Sequence, residues 1–215
     1  MARYRLHCLD VSGNAYKAAL TLSLLGADWE AALVDWFAGQ HRSPAYLALN
    51  PMGEIPTVEL PDGRALSQSG AILSHLARTF GRLDGETEAE RSEVLRWMFW
   101  DNHKLSAALA AERYQKAFSP AAARDAAATA QAEATRRAAC ALLEARLSAQ
   151  DFVALAGRAT VADLSCYGYL HWLEHTGDRG ADWPAIDAWR ARVRALEGWA
   201  APEALMPAGS GRALI

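Results

Sequence analysis

The sequence is poor in cysteine, and its three thiols, Cys8, Cys140 and Cys166, lie far apart. None belongs to a C-x-x-C pair, so the pattern predicts neither a disulfide framework nor a zinc site and indicates reduced, mostly buried thiols. Two of the six histidines, His171 and His175, have helical i, i+4 spacing, yet no third ligand is evident nearby. We therefore expect no bound metal.

The sequence also lacks an apolar run of the roughly 20 residues that a membrane span requires, and its start has no long apolar region typical of a signal peptide. Charge of one sign is not in excess, because the formal net charge is -3 and the basic residues are scattered. These absences predict a cytoplasmic protein that has neither a membrane nor a nucleic acid as partner.

What the sequence does contain is enough apolar material, 52% of its residues, for one large core or two modest ones. The first eighty residues predict the order βαβαββα. The predicted elements are strands at 4–9 and 29–34, a helix at 14–25, a short helix opened by Ser43-Pro44, a hairpin at 56–60 and 64–66, and a helix at 69–80.

After a polar, glycine-containing break at 81–85, no further strand pattern follows. The predicted helices start at a capping box at 87–90 (to about Lys116), at Ser119-Pro120 (to about Leu147), at a second capping box at 160–163 (to about His175), and at Trp183-Pro184 (to about Leu196). We thus predict an α/β domain at residues 1–80, a linker at 81–86 and an all-α domain at 87–215.

Four motifs occur in a characteristic order: NPMGEIPTV at 50–58, QSGAI at 68–72, GRATVAD at 157–163 and WPAIDAW at 183–189. Together they resemble the cytosolic glutathione transferases over nearly the whole chain, and the protein is identified as a bacterial-type member. The resemblance implies a thioredoxin-like N-terminal domain followed by a helical bundle. It also implies glutathione as co-substrate, a small electrophile as second substrate, and a homodimer.

The resemblance assigns the central part of glutathione to Ile55 and Pro56. In the family the bond before this proline is cis, and the backbone of the preceding residue pairs with the cysteinyl backbone of glutathione. Gln68 and Ser69 begin a helix, where free backbone N–H groups and the helix dipole favour an anion. By resemblance they bind the γ-glutamyl carboxylate, although many matching proteins have glutamate in place of Gln68.

The glycine end of glutathione needs a cation or hydrogen-bond donors. By resemblance to theta- and delta-related members, His41 takes this role, and Gln40 and Arg42 compete with it. Glu54 stands where matching motifs often carry lysine, and a carboxylate pointing inward would repel the glycine carboxylate. Either Glu54 faces solvent, or the site differs at that end.

The end of the first strand and the start of the first helix form the catalytic position of a thioredoxin-like domain, because helix N–H groups there stabilise a thiolate. No cysteine lies in this turn, and Cys8 in the strand is interpreted as an inert core thiol. We hypothesise that Ser12 donates a hydrogen bond to the glutathione sulfur, with Asn14 as second donor or substitute. Both residues also suit plain turn and N-cap roles.

The second substrate should contact the first long helix of the helical domain. The candidate lining residues are Val11, Trp97, Trp100, Asp101, Lys104 and Tyr114. An aromatic stripe at helical spacing is also typical of a core, and Asp101 has a second interpretation, in which it reaches across a dimer to the partner's glutathione.

These assignments predict a transferase that binds glutathione as thiolate and passes it to a small, hydrophobic electrophile. Glutathione-dependent isomerases, dehalogenases and peroxidases share the same first domain. A non-catalytic interaction module with this fold is the alternative from a different class of protein.

Overall fold

The computed structural model describes residues 3–210, so the ends of the two predicted domains, at 1–2 and 211–215, lie outside the described residues. The described chain divides into two compact units, residues 3–82 with 196–210, and residues 83–195. The boundary after Arg82 falls inside the predicted linker. The prediction assigned all residues from 87 onward to the helical domain, and it is wrong for residues 196–210. These residues pack on the first helix, whose Tyr16 hydroxyl donates to the Ala200 carbonyl at 2.9 Å.

The first unit has the predicted order βαβαββα. Its elements are β1 (Tyr4–Cys8), α1 (Gly13–Leu24), β2 (Trp29–Leu33), α2 (Pro44–Leu49), β3 (Thr57–Glu59), β4 (Ala65–Ser67) and α3 (Ser69–Phe80). The thioredoxin-like class predicted for this half of the chain is confirmed.

The four strands form one mixed sheet with the order β2-β1-β3-β4. Strands β1 and β2 are parallel, and the other pairs are antiparallel. Residues alternate along β1, so that Tyr4, Leu6 and Cys8 are buried in the core. Because β1 and β2 run in the same direction, the loops that leave their carboxyl ends emerge at one edge of the sheet, where ligands of α/β folds usually bind.

Two serines fix the starts of helices in this unit. Ser12 caps α1 by accepting from the Ala15 N–H at 3.2 Å, and Ser43 caps α2 in the same way, from Tyr46 at 3.2 Å. Pro44 follows at the first position of α2, where its missing N–H costs nothing. The predicted start of the short helix at Ser43-Pro44 is therefore confirmed.

The second unit is helical. Its elements are α4 (Glu88–Trp100), a π-helical turn (Asp101–Leu105), α5 (Ser106–Arg113), a second π-helical turn (Tyr114–Phe118), α6 (Ala126–Ala149), α7 (Val161–Leu170) and α8 (Pro184–Arg194). A short α9 (Pro202–Leu205) follows in the part of the chain that belongs to the first unit. Within residues 3–210, no helix combines the length and apolar character needed to cross a membrane.

Two predicted helix ends in this unit are wrong. Helix α6 begins at Ala126 and not at Ser119-Pro120, because the Asp125 carboxylate accepts from the Ala128 N–H at 2.9 Å and caps the helix there. Helix α7 ends at Leu170 and not near His175, which lies in a separate 3-10 turn that closes at Gly177 with φ 96°. Both predicted capping boxes, at Thr87 and Thr160, are confirmed.

Candidate functional site

Two buried side chains, Tyr46 and Asn50, hold the segment that leads into β3. The peptide bond before Pro56 is cis, as the resemblance implied. The Tyr46 hydroxyl donates to the Glu54 carbonyl at 2.7 Å, and the Asn50 amide donates to the same carbonyl at 2.8 Å. Both side chains also contact the Thr57 hydroxyl, at 2.9 and 3.0 Å. The backbone before the proline is thus held in one position.

The exposed side of this segment faces the start of α3 through side chains. The Gln68 amide donates to a carboxylate oxygen of Glu54 at 2.8 Å and contacts the Met52 sulfur at 3.2 Å. Glu54 is exposed, so of the two alternatives for this carboxylate, the one facing solvent describes its position. Gln68 has a φ of 69°, which is rare for a residue other than glycine and costs about 1–3 kcal/mol. Such strain clusters at functional sites.

The first turn of α3 approaches the first turn of α1. Ser69 is buried, and its hydroxyl donates to the Asn14 side-chain carbonyl at 3.4 Å. Among the residues that the structure describes, no side chain caps α3, so the N–H groups of its first turn remain available to an anion. Asn14 accepts through its oxygen here, which leaves its NH₂ group as a donor.

Ser12 stands two residues before Asn14, at the N-cap of α1. Its oxygen accepts from the Ala15 N–H, so the plain capping role is present, yet a hydroxyl that accepts one bond still has its own proton to donate. Burial raises the pKa of the neighbouring Cys8 thiol to about 12, against a smaller opposite effect of a backbone hydrogen bond from Ala32. Cys8 therefore stays protonated at neutral pH, in agreement with the inert role predicted for it.

The loop after β2 carries the residues predicted for the glycine end. His41 is buried, and its ring stacks on Trp36 with the centroids 5.2 Å apart. Its Nδ1 atom is buried without a hydrogen-bond partner. Burial, and then the charge of Arg42, lower the pKa of His41 below its ordinary value. This shift favours the neutral imidazole, which can offer a hydrogen bond to an anion but not a positive charge.

Gln40 and Gly53 connect this loop to its surroundings. The Gln40 side-chain carbonyl accepts from the Asp35 N–H at 2.7 Å, so its NH₂ group remains as a donor. Gly53 has a φ of 62°, and a Cβ atom at this position would lie 3.2 Å from the His41 carbonyl oxygen. The loop therefore packs closely against the residue before Glu54.

The first unit thus brings together most of the residues predicted to bind glutathione. Ser12, Asn14 and Ser69 form one group, and Gln68 with Glu54 forms the next, at the edge where β1 and β2 end. Sequence reasoning missed Asp35, Tyr46 and Asn50 as supporting residues. The Asn-Pro pair that begins the motif at 50–58 was the available signal for Asn50.

The residues predicted to line an electrophile pocket differ in their burial and in their contacts. Trp97 is 4% exposed, donates to Glu93 at 2.9 Å and lies between the guanidinium groups of Arg96 and Arg146. It is a packed side chain of the helical unit, and Trp100 meets it edge-on with the ring centroids 5.1 Å apart.

The prediction for Asp101 disagrees with its position. This carboxylate is fully buried and accepts from the hydroxyls of Ser106 at 2.7 Å and Ser165 at 2.6 Å. It therefore presents no exposed charge to an electrophile or to a partner subunit. Lys104 and Tyr114 are exposed on the two π-helical turns.

Val11 is half-buried and directly precedes Ser12 in the first unit. No group of three or more histidine, cysteine, aspartate or glutamate side chains within residues 3–210 is arranged to hold a metal ion.

Comparison with known proteins agrees with this geometry. The chain matches the family model of the glutathione S-transferase N-terminal domain over residues 11–79 and that of the C-terminal domain over residues 106–197. A crystal structure of a glutathione S-transferase from Xanthobacter autotrophicus is 34% identical with a TM-score of 0.85, and the match covers 92% of this chain and 95% of that one. The protein belongs to the glutathione S-transferase family.

Two further matches add detail. A possible glutathione S-transferase from Rhodopseudomonas palustris is 33% identical with a TM-score of 0.86, and the match covers 98% of this chain and 94% of that one. Maleylacetoacetate isomerase of Pseudomonas aeruginosa is 38% identical over 78 residues, which are 35% of this chain and 37% of the isomerase. The matches to the first curated relatives span 30% and 37% of those proteins' own length.

Proposed function

We propose that the protein is a glutathione transferase of the serine or asparagine type, which binds glutathione as thiolate and transfers it to a small, hydrophobic electrophile. The observation that carries the proposal is the meeting of Ser12, Asn14 and Ser69 at the N-termini of α1 and α3, beside the cis-proline turn. Two helix N-termini at one edge of a sheet stabilise anions, and both the γ-glutamyl carboxylate and the thiolate are anions.

The γ-glutamyl end binds at the start of α3. Its carboxylate accepts from the backbone N–H and hydroxyl of Ser69. Its ammonium group is held by the side-chain oxygen of Gln68 and the carboxylate of Glu54, which the 2.8 Å contact places side by side. Glu54 thereby supplies the negative charge that Gln68 lacks, and its exposed position leaves room for the ligand.

The middle and the glycine end follow along the same edge. The backbone N–H and C=O of Ile55 pair with the cysteinyl residue as an added strand. The glycine carboxylate accepts from His41, whose unpartnered Nδ1 needs a hydrogen-bond partner, and from the amide of Gln40.

The thiol of glutathione then lies at the N-terminus of α1. A free thiol with a pKa of about 8.5 is only a few per cent ionised at pH 7. Hydrogen bonds from Ser12 and Asn14, with the helix dipole, lower this pKa, and each unit corresponds to about 1.4 kcal/mol of preferential thiolate stabilisation. The thiolate sulfur attacks the electrophile and forms a new bond to it. In a substitution the leaving group then departs with its bonding electrons, and in an addition the electrophile takes up a proton.

The electrophile is proposed to contact Trp100, Lys104 and Tyr114 of the helical unit. Tyr114 is 44% exposed, and Lys104 is exposed on the preceding π-helical turn, which suits an aromatic substrate with a polar group. Trp97 supports Trp100 through their ring contact. We further expect, from the family, a homodimer located in the cytoplasm.

Calorimetric titration with glutathione tests the proposal. We expect saturable binding by the parent protein and a loss of about tenfold or more in affinity for Ser69→Ala, because a hydrogen bond to a charged group contributes about 1.5–3 kcal/mol. Thr87→Ala, which removes a hydroxyl N-cap from α4 in the helical unit, is the matched control. A non-catalytic module with a degraded site would show no saturable binding in any of the three proteins.

Isomerisation is the second candidate reaction, favoured by the similarity of 78 residues of this chain to maleylacetoacetate isomerase. In such a reaction the thiolate adds to a conjugated double bond and leaves again after rotation, so glutathione is not consumed. Following glutathione and product together by mass spectrometry separates the two reactions, because conjugation consumes one glutathione for each product.

A further inference from the structure

The segment that follows α9 lies against both loops that carry the proposed glutathione site. We name residues 206–210 the tail segment. Its Pro207 carbonyl accepts from the Asp10 N–H at 3.1 Å, immediately before the catalytic turn. Its Gly209 approaches the sheet so closely that a Cβ atom would collide with Leu9 Cδ1 and lie 3.3 Å from an Asp35 carboxylate oxygen. The tail segment therefore lies where β1 and β2 end.

Asp35 is the residue that ties the tail segment to the loop after β2. One of its carboxylate oxygens accepts from the N–H groups of Phe37 and Ala38, at 3.1 Å each. The other accepts from the Ser210 N–H at 2.8 Å. The Asp35 N–H donates to the Gln40 side chain at 2.7 Å. One buried carboxylate thus holds the turn, the tail segment and the start of the glycine-end loop together.

This arrangement has a consequence for His41. The turn that Asp35 closes contains Trp36, and Trp36 stacks on the His41 ring. A displacement of the turn therefore moves the stacking partner of the imidazole and the Gln40 amide. The hydrogen bond from the Ser210 N–H is also the largest cause that lowers the pKa of Asp35, which keeps the carboxylate ionised and able to accept.

We propose that Asp35 is a positioning residue that, through its bond to the tail segment, fixes the Gln40–His41 loop and so sets the affinity for thiols that carry a free glycine carboxylate. This inference rests on the proposed function, since it concerns the same site. Asp35 does not touch glutathione; it acts through the loop that does.

Two substitutions can break the hydrogen bond between the Ser210 N–H and the Asp35 carboxylate, one at the acceptor and one at the donor. Asp35→Asn keeps one oxygen for the turn and turns an NH₂ group toward the Ser210 N–H, so the bond to the tail segment is lost. Ser210→Pro removes the donor N–H and leaves Asp35 intact. Ser210→Ala keeps the N–H and removes the hydroxyl, which also hydrogen-bonds to Asp35, so it weakens the same contact by less.

The test compares glutathione with its monoethyl ester at glycine by calorimetry. We expect Asp35→Asn and Ser210→Pro each to weaken glutathione binding by about three- to tenfold, since one hydrogen bond contributes about 0.5–1.5 kcal/mol. Binding of the ester should change by less than about twofold, and the glutathione affinity of Ser210→Ala should lie between those of the parent protein and Ser210→Pro. The double variant should bind no more weakly than either single variant, because both break one interaction.

Three results would overturn the inference: unchanged glutathione affinity in either variant, an equal loss for the ester, or additive losses in the double variant. An equal loss for both ligands would indicate a general disturbance of the unit. A parent protein that binds neither thiol would refute the proposed function itself, whereas a parent protein that binds glutathione with unaffected variants refutes only the role of Asp35.

Discussion

At the scale of the residue, the thiol activation that we propose uses two side chains with different hydrogen bonds. Ser12 uses its oxygen as an N-cap and retains its proton, while Asn14 uses its oxygen for Ser69 and retains its NH₂ group. Each therefore retains a donor group for the thiolate. The exposed Gln68–Glu54 pair is separate from them and is proposed to bind the γ-glutamyl end, so the two groups should respond independently to substitution.

We predict that Ser12→Ala raises the pKa of the bound glutathione thiol by about one unit, because one charge-assisted hydrogen bond is lost. Asn14→Ala should raise it in the same direction. The measurement is the thiolate absorbance of the glutathione complex as a function of pH. Thr87→Ala is the control, because it also removes a hydroxyl N-cap and costs about 1 kcal/mol of stability, but lies in the helical unit. An unchanged thiol pKa in both site variants would contradict the assignment.

The residues of the site differ in how far the sequence could predict them. The cis bond before Pro56 was expected from the family resemblance alone, whereas the expectation for Ser69 also followed from local chemistry, because a helix N-terminus attracts anions wherever it occurs. Asp35 did not follow, because its decisive partner, Ser210, lies 175 positions away and donates through its backbone. No side-chain pattern in a sequence reports such a bond. The sequence suggested that the Asp101 carboxylate is accessible to a ligand, but it is buried and accepts hydrogen bonds from two serine hydroxyls.

At the scale of the element, helix ends were predictable where one residue decides them. Helix α3 begins at Ser69 and ends at Phe80, as predicted, because Gly81 adopts a φ of 63° that ends the helix. The start of α6 was not predictable in this way, since Ser119-Pro120 and Asp125 are both good start signals, and only the packed structure selects Asp125. The π-helical turns depend on tertiary contacts such as those of Asp101.

The alanine-rich helix α6 has one buried charge, Arg136, that determines its packing. The guanidinium donates to Glu112 at 2.6 Å and to Asp178 at 2.5 Å, and all of these groups lie in the interior of the helical unit. The neighbouring Arg137 also contacts Asp178, at 3.1 Å, but its side chain is 53% exposed. Two adjacent arginines therefore contact the same carboxylate from environments of different polarity.

We predict that Arg136→Ala lowers the free energy of unfolding by about 3–5 kcal/mol, because it removes the buried cation that both carboxylates share and leaves Glu112 with Lys116 and Asp178 with Arg137, whose side chains are partly exposed. Arg137→Ala should cost less than about 1 kcal/mol, since an exposed ion pair contributes little. Urea denaturation followed by circular dichroism measures both. Equal losses in the two variants would show that burial does not determine the strength of this network.

At the scale of the whole molecule, several buried groups make stability depend on pH in opposite directions. Burial alone would raise the pKa of Asp178, but hydrogen bonds from Arg136 and Trp183 and the charges of Arg136 and Arg137 outweigh it and lower that pKa. Its contribution is therefore present above the unfolded pKa and is lost as the pH falls below about 4. Burial raises the pKa of Asp163, whose contribution has the opposite sign.

Nearer to neutral pH, two histidines contribute to the pH dependence of the free energy of unfolding. Burial lowers the pKa of His41, and burial followed by the charge of Arg113 lowers that of His175, whose Nδ1 accepts from Arg113 at 3.3 Å. The unfolded chain therefore binds more protons than the folded protein once the pH falls below about 6.5. Their contribution to stability is complete above that pH and is lost as the pH decreases toward the folded pKa values.

We predict that the free energy of unfolding decreases as the pH falls from about 7.5 to about 5.5, with a slope of at most about 1.4 kcal/mol per pH unit for each histidine. His175→Gln should flatten the slope, because glutamine still accepts from Arg113 but takes up no proton. His103→Gln, at an exposed position, is the control. Urea denaturation at four or five pH values gives the slopes. A slope that is the same in the parent protein and in His175→Gln would mean that His175 is protonated equally in both states, and that its burial beside Arg113 does not affect the stability of the protein.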